Sequence, residues 1–140
     1  MQKTGDKMKY AVIDTIVLVS AMITHNAASP TVKVVEAIGQ GELVPLYNEE
    51  IITEYNDVLS RAKFGFLHLS VARLIRTMMD KGIMMERVFS GGVFPDASDA
   101  VFYEVALSKE GSYLVTGNKK HFPKSPIVVT PAEMMEILAK

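Results

Sequence analysis

The stretch YAVIDTIVLVSAMI (Tyr10–Ile23) decides the fold. Tyr10 to Ile13 is a short β-type run that stops at Asp14 and Thr15. From Val17 to His25 the pattern turns helical, with the small residues Ser20 and Ala21 inside it. A strand that ends on an acid and turns at once into a helix sets the theme for the rest of the chain.

Working outward, Ser29 and Pro30 break the first helix, and a second is expected over Thr31–Ile38, closed by Gly39 and Gly41. Leu43–Leu46 is the next strand, and Pro45 marks it as ending there or lying at an edge. Asn48 caps a helix whose apolar stripe is Ile51, Ile52, Tyr55, Val58, Leu59 and Ala62. A helix over Leu67–Lys81 is closed by Gly82, and Met84–Phe89 reads as a strand. Gly91 and Gly92 open a loop that runs to Pro95. A helix over Ala97–Lys109 ends at Gly111, and Tyr113–Thr116 is a strand followed by a turn at Gly117 and Asn118. Ile127–Val129 is the last strand, and Pro131 takes the favoured first position of a C-terminal helix. Strands alternate with helices throughout and no repeat or linker divides the chain. The expectation is one α/β domain over residues 1–140, built as a three-layer α/β/α sandwich around a mostly parallel sheet of about five strands.

Composition agrees. The chain has 140 residues, 49% hydrophobic and 22% charged, the balance of a folded domain. It lacks cysteine, which excludes disulfides and thiolate metal sites. The net charge of −1 supplies no global attraction for nucleic acid, so phosphate binding requires a local patch or a metal. Lys63, Lys119, Lys120 and Lys124 are available, and singly each reads as a solvated surface lysine. The polar start MQKTGDKMKY is unlike a secretory signal, and no run approaches a membrane span. A cytoplasmic location is expected.

In open α/β sheets, ligands bind beyond the carboxyl ends of the strands. Asp14 follows the first strand directly, either to serve that crevice or to cap the helix behind it. Glu54 lies about 40° outside the stripe edge at Val58 on a helical wheel, between a site residue and a solvated one. Asp96 and Asp99 open a later helix with capping-box spacing, unless Ser98 is the cap and both acids are free. Asn118 follows the fourth strand and offers either an amide oxygen to a cation or a turn residue. The histidines His25, His68 and His121 share no metal-ligand spacing, and none is read as a zinc ligand. The methionines read as core or interface.

Four segments taken in order resemble the PIN-domain family: YAVIDTIVLVSAMI, IITEYNDVLSRAKF (Ile51–Phe64), FPDASDAVFYEVAL (Phe94–Leu107) and YLVTGNKKHF (Tyr113–Phe122). Within it they are similar to toxin components of bacterial toxin–antitoxin pairs. The resemblance implies an Mg²⁺- or Mn²⁺-dependent ribonuclease with Asp14, Glu54 and Asp99 as catalytic acids. Asp14 and Asp99 would be direct ligands, Glu54 would act through water, and Asp96 and Asn118 would be outer partners. Thr116, Lys119, Lys120 and Arg61 would position RNA. A small antitoxin and a homodimer are implied as partners. Two positions depart from the family pattern. Ile16 stands where an asparagine usually follows the first aspartate, and Asn118 stands where a fourth aspartate is usual.

These departures leave an alternative: a weakened PIN domain that binds RNA or an antitoxin without cutting. Phosphotransfer through Asp14, of the haloacid-dehalogenase type, wants a second aspartate two residues on, and position 16 is isoleucine.

Overall fold

The computed structural model describes residues 8–140; the start of the polar N-terminal segment lies outside them. Among the described residues the strands are β1 (Lys9–Ile13), β2 (Leu43–Tyr47), β3 (Ile83–Met84), β4 (Tyr113–Val115) and β5 (Val128–Val129). The helices are α1 (Thr15–Ile23), α2 (Pro30–Gly39), α3 (Glu49–Leu59), α4 (His68–Lys81), α5 (Ala97–Leu107) and α6 (Pro131–Leu138). The strands form one sheet in the order β3-β2-β1-β4-β5, and every pairing is parallel. Helices flank the sheet to give the expected α/β/α sandwich. Among the described residues no helix is long and apolar enough to cross a membrane.

The strand order places the site. From β1 the chain steps outward to β2 and β3, then returns through α5 to β4 on the other side of β1. The order therefore reverses between β1 and β4, the switch point where α/β sheets open a crevice at their carboxyl ends. The two strands are locked in register there, with Ile13 opposite Val115, and the Asp14 amide extends the ladder to the Val115 carbonyl at 2.9 Å.

The central strands are buried on both faces, as a parallel sheet requires. Ala11, Val12, Ile13, Leu114 and Val115 are fully buried. Around them pack Leu18 of α1, Ile38 of α2, Ile51, Tyr55 and Leu59 of α3, Met78 of α4, and Phe102 and Val105 of α5. Capping follows the sequence at two helices. The Asn48 side chain accepts from the Ile51 amide at 2.9 Å. Thr130 and Glu133 form a full capping box ahead of α6, with Pro131 at its start.

Three expectations are corrected. Pro45 is neither at the end of its strand nor at a sheet edge: β2 runs on to Tyr47 between β1 and β3. The proline is tolerated because β3 joins only from Leu46 onward. The Pro45 carbonyl instead lies against Gly82, where any Cβ would collide with the carbonyls of Pro45 and Met78. The strand expected over Met84–Phe89 is only Ile83–Met84. After one more bond, from the Met85 amide to the Tyr47 carbonyl (2.8 Å), the chain is drawn off the edge toward α5. Finally, α1 starts at Thr15 and α5 ends at Leu107, so both helices are shorter or shifted against their expected bounds.

Candidate active site

Asp14 leaves the end of β1 in an extended conformation. Its carboxylate makes no capping bond to α1. It accepts instead from the Thr116 hydroxyl, Oγ1 to Oδ2, at 2.7 Å. Thr116 follows β4 and is fully buried, and its oxygen also accepts from the Asn118 amide at 3.0 Å. One hydroxyl thus ties together both sides of the switch point. Burial pushes the Asp14 carboxyl above its usual range, against the pull of the Thr116 hydroxyl and the Ile16 and Thr15 amides.

Helix α3 is fastened to the same corner. Tyr55, fully buried, donates its hydroxyl to the Ile13 carbonyl at 2.6 Å, one residue before Asp14. That bond fixes the neighbouring Glu54 at the mouth of the crevice. Glu54 is half-buried, and its carboxyl is raised by desolvation and then by the charges of Asp57, Asp96 and Asp14.

Helix α5 delivers the other acids. Asp96 is its N-cap and accepts from the Ser98 amide at 3.4 Å, so Ser98 is not the cap. Asp99 is one turn in and 7% exposed, and its Oδ2 is buried without a hydrogen-bond partner. Its carboxyl is raised by burial, pulled down by His121, and raised again by Asp14 and Asp96. The loop ahead of α5 is anchored by Glu104, a charged residue only 4% exposed. Glu104 accepts from the Ser90 amide (2.9 Å) and hydroxyl (2.8 Å) and pairs with Arg87 at 2.7 Å. Arg87 also reaches Glu50 on α3 at 3.1 Å, so one guanidinium links the acid-bearing helices α3 and α5.

Asp14, Glu54, Asp96, Asp99 and Asn118 all line a single open cleft of about 310 Å³. Arg61 lines it too, paired with Asp57 at 2.9 Å. Ile16 forms part of the wall, 46% exposed. Other residues expected to contact RNA stand elsewhere. Lys119 pairs with Glu133 at 3.2 Å, and with Lys120 it borders a separate hollow beside Phe122 and Lys124. Thr116, expected to position RNA, is fully buried and donates to Asp14. Two basic side chains that line the cleft were not among the expected site residues. Lys63, read from sequence as a surface lysine, lies at the mouth. His121 stands with Nδ1 3.5 Å from Asp99 Oδ2 and Nε2 2.9 Å from Asn118 Nδ2. Only the nearness of His121 to Asn118 in TGNKKHF hinted at this.

The donor set suits a hard divalent cation. It is rich in carboxylate oxygen, its acids repel one another, and it holds a buried acceptor with no partner. Among the described residues no three carboxylate or imidazole groups are close enough to hold an ion between them alone. An ion there would therefore keep several waters, as Mg²⁺ usually does.

A family model described as PIN domain matches residues 10–120. No curated protein and no solved structure is significantly similar to the chain.

Proposed function

The chain belongs to the PIN-domain family, and from that premise we propose that it is a divalent-metal-dependent ribonuclease. The observation that carries this reading is the convergence of Asp14, Glu54, Asp96 and Asp99 on one cleft at the switch point, with Asp99 Oδ2 buried and unpaired. PIN domains are generally dependent on a divalent metal, and Mg²⁺ or Mn²⁺ fits this oxygen-rich set. Asp14 and Asp99 would hold the ion, with Asp96 and Asn118 as outer partners. When bound, it would lower the pKa of water and offset charge at the phosphate.

The protein's own groups do the rest. Thr116 keeps the Asp14 carboxylate in one orientation. Glu54, its carboxyl raised above its usual range by desolvation and the neighbouring acids, takes a proton from the attacking water as the new P–O bond forms and the bond to the leaving oxygen breaks. That oxygen leaves with a proton from solvent. Arg61 and Lys63 at the mouth hold the RNA backbone, which gives position without sequence preference. A neighbouring hollow sharing Glu54, Ser98 and Phe102 extends the cleft for flanking nucleotides.

By the same reading the protein acts in the cytoplasm, as a homodimer, as the toxin of a pair whose small antitoxin covers the acidic cleft. The alternative is an RNA- or antitoxin-binding module without turnover. Ile16 and the neutral Asn118 in the cleft favour it, because each removes a polar or charged group from the site. Cleavage of RNA with Mn²⁺, with Asp14→Asn as control, distinguishes the two.

A further inference from the structure

Resting on the reading of the cleft as an RNA site, we infer that Phe64 is a stacking platform for one unpaired nucleobase at the cleft mouth. The chain gives this ring a fixed seat. Helix α3 ends at Leu59, and the turn behind it closes twice. The Phe64 amide donates to the Arg61 carbonyl and the Gly65 amide to the Ala62 carbonyl, each at 3.1 Å. Gly65 has φ +65°, which residues with a Cβ rarely adopt, so the chain turns there without strain. Phe66 then brings its ring against Phe64, with centroids 5.3 Å apart and planes 9° from parallel. Phe64 is half-buried and lines the same cleft as Asp14 and Glu54. A ring held in this way loses little freedom when a ligand stacks on it.

The charges around the ring fit a nucleotide. Lys63 Nζ lies over the Phe64 ring, 5.2 Å from its centroid, and Arg61 opens the same turn. Both cations are exposed. An exposed cation–π contact is weak, so the ammonium can leave the ring for a phosphate as a base takes its place. The carboxylates deeper in the cleft repel phosphate but not a neutral base. One turn therefore offers a π face to the base and two cations to the backbone beside it. Ile16, 46% exposed in the same cleft, adds apolar surface of the kind a base plane covers. Phe64 also packs against the core. That packing accounts for its inner side, but not for two cations gathered at its open side in an acidic cleft. A base inside a duplex is already stacked and paired, so the platform takes single strands, and it tolerates any base because each has a π face.

The chain contains no tryptophan, so Phe64→Trp places a single indole on the platform. The test titrates the full-length variant, in EDTA so that nothing is cut, with a single-stranded RNA, the same RNA as a duplex, and an all-abasic strand of equal length. Indole quenching is expected from the single strand, little from the duplex, and none from the abasic strand, which keeps the phosphates and lacks the bases. Anisotropy of the labelled strands gives affinities in parallel. Phe64→Leu keeps an apolar side chain against Phe66. It should bind the ordinary strand at least about fivefold more weakly than wild type, and the abasic strand equally well. Equal loss on both strands, wild-type affinity in Phe64→Leu, an indole that RNA does not quench, or equal quenching by the duplex would each overturn the platform. Cleavage by wild type with Mn²⁺ decides the ribonuclease reading separately. Cutting without quenching removes the platform alone, and quenching without cutting keeps the platform and favours the binding module.

Discussion

Thr116 Oγ1 donates to Asp14 Oδ2 across 2.7 Å, joining residues 102 positions apart at the ends of adjacent strands. Replacing Thr116 by Val keeps the shape and removes the donor. Hydrogen bonds to charged groups are worth about 1.5–3 kcal/mol, so Thr116→Val should lower stability in urea by that order and cut RNA turnover. Thr116→Ser should restore both. Wild-type turnover in Thr116→Val would show that Asp14 needs no such support.

Burial sets the sign of the pH dependence at the cleft. The Asp14, Glu54 and Asp99 carboxyls are all raised above their ordinary values of 3.8, 4.5 and 3.8. An acid whose folded pKa is raised contributes stability that is complete below the unfolded pKa and lost as pH rises through the folded one. Metal-free protein should therefore lose stability as pH climbs out of the acid range, and Asp14→Asn in EDTA at pH 7 should melt above wild type. Mn²⁺ at about 100 times its Kd should return about 2.7 kcal/mol to wild type and little to the variant. Thermal melts with and without Mn²⁺ read this directly, and equal melting of the two proteins in EDTA would contradict it.

Glu104 has the opposite sign. Burial raises its carboxyl, but the Ser90 amide, the Ser90 hydroxyl and Arg87 outweigh this and hold it below 4.5. Its contribution is present above the unfolded pKa and lost as pH falls through the folded one. Arg87→Ala leaves a buried carboxylate without its partly exposed cation but with both Ser90 bonds, and should cost about 1–2 kcal/mol. Limited proteolysis should then cut within residues 85–96 first. A variant that resists proteolysis like wild type would show that the loop is held by other contacts.

Tyr55→Phe removes only the hydroxyl that reaches the Ile13 carbonyl. The lost bond should cost about 1 kcal/mol. Because Glu54 is adjacent, kcat should fall while KM for RNA stays near wild type. A change in KM alone would place the role of Tyr55 in binding.

Much of this arrangement was legible in the residues. Local signals mark the βα alternation: the β-type run before Asp14, the Asn48 cap, the stripe through Tyr55, and Pro131 at the start of α6. Asp14 and Asn118 could be placed because each closely follows a strand. The short edge strand β3 could not be bounded, since its end is decided by Glu104 drawing Ser90 and Arg87 away from the sheet. A proline in an interior strand, Pro45, contradicts its local preference and is permitted only by where β3 begins. Asp96 as cap and Asp99 as the buried acid could not be separated by spacing, because both readings use the same i, i+3 interval. His121 reaches Asp99 through a 3-10 turn at Lys119–His121, which no ligand spacing along the chain announces.

The most direct measurement is cleavage of a labelled RNA by the purified protein with Mn²⁺, with EDTA, and as Asp14→Asn. Cleavage that needs Mn²⁺ and falls to the EDTA level in Asp14→Asn is the expected result. Cleavage that survives unchanged in Asp14→Asn would contradict the assignment of the acidic cleft as the catalytic centre.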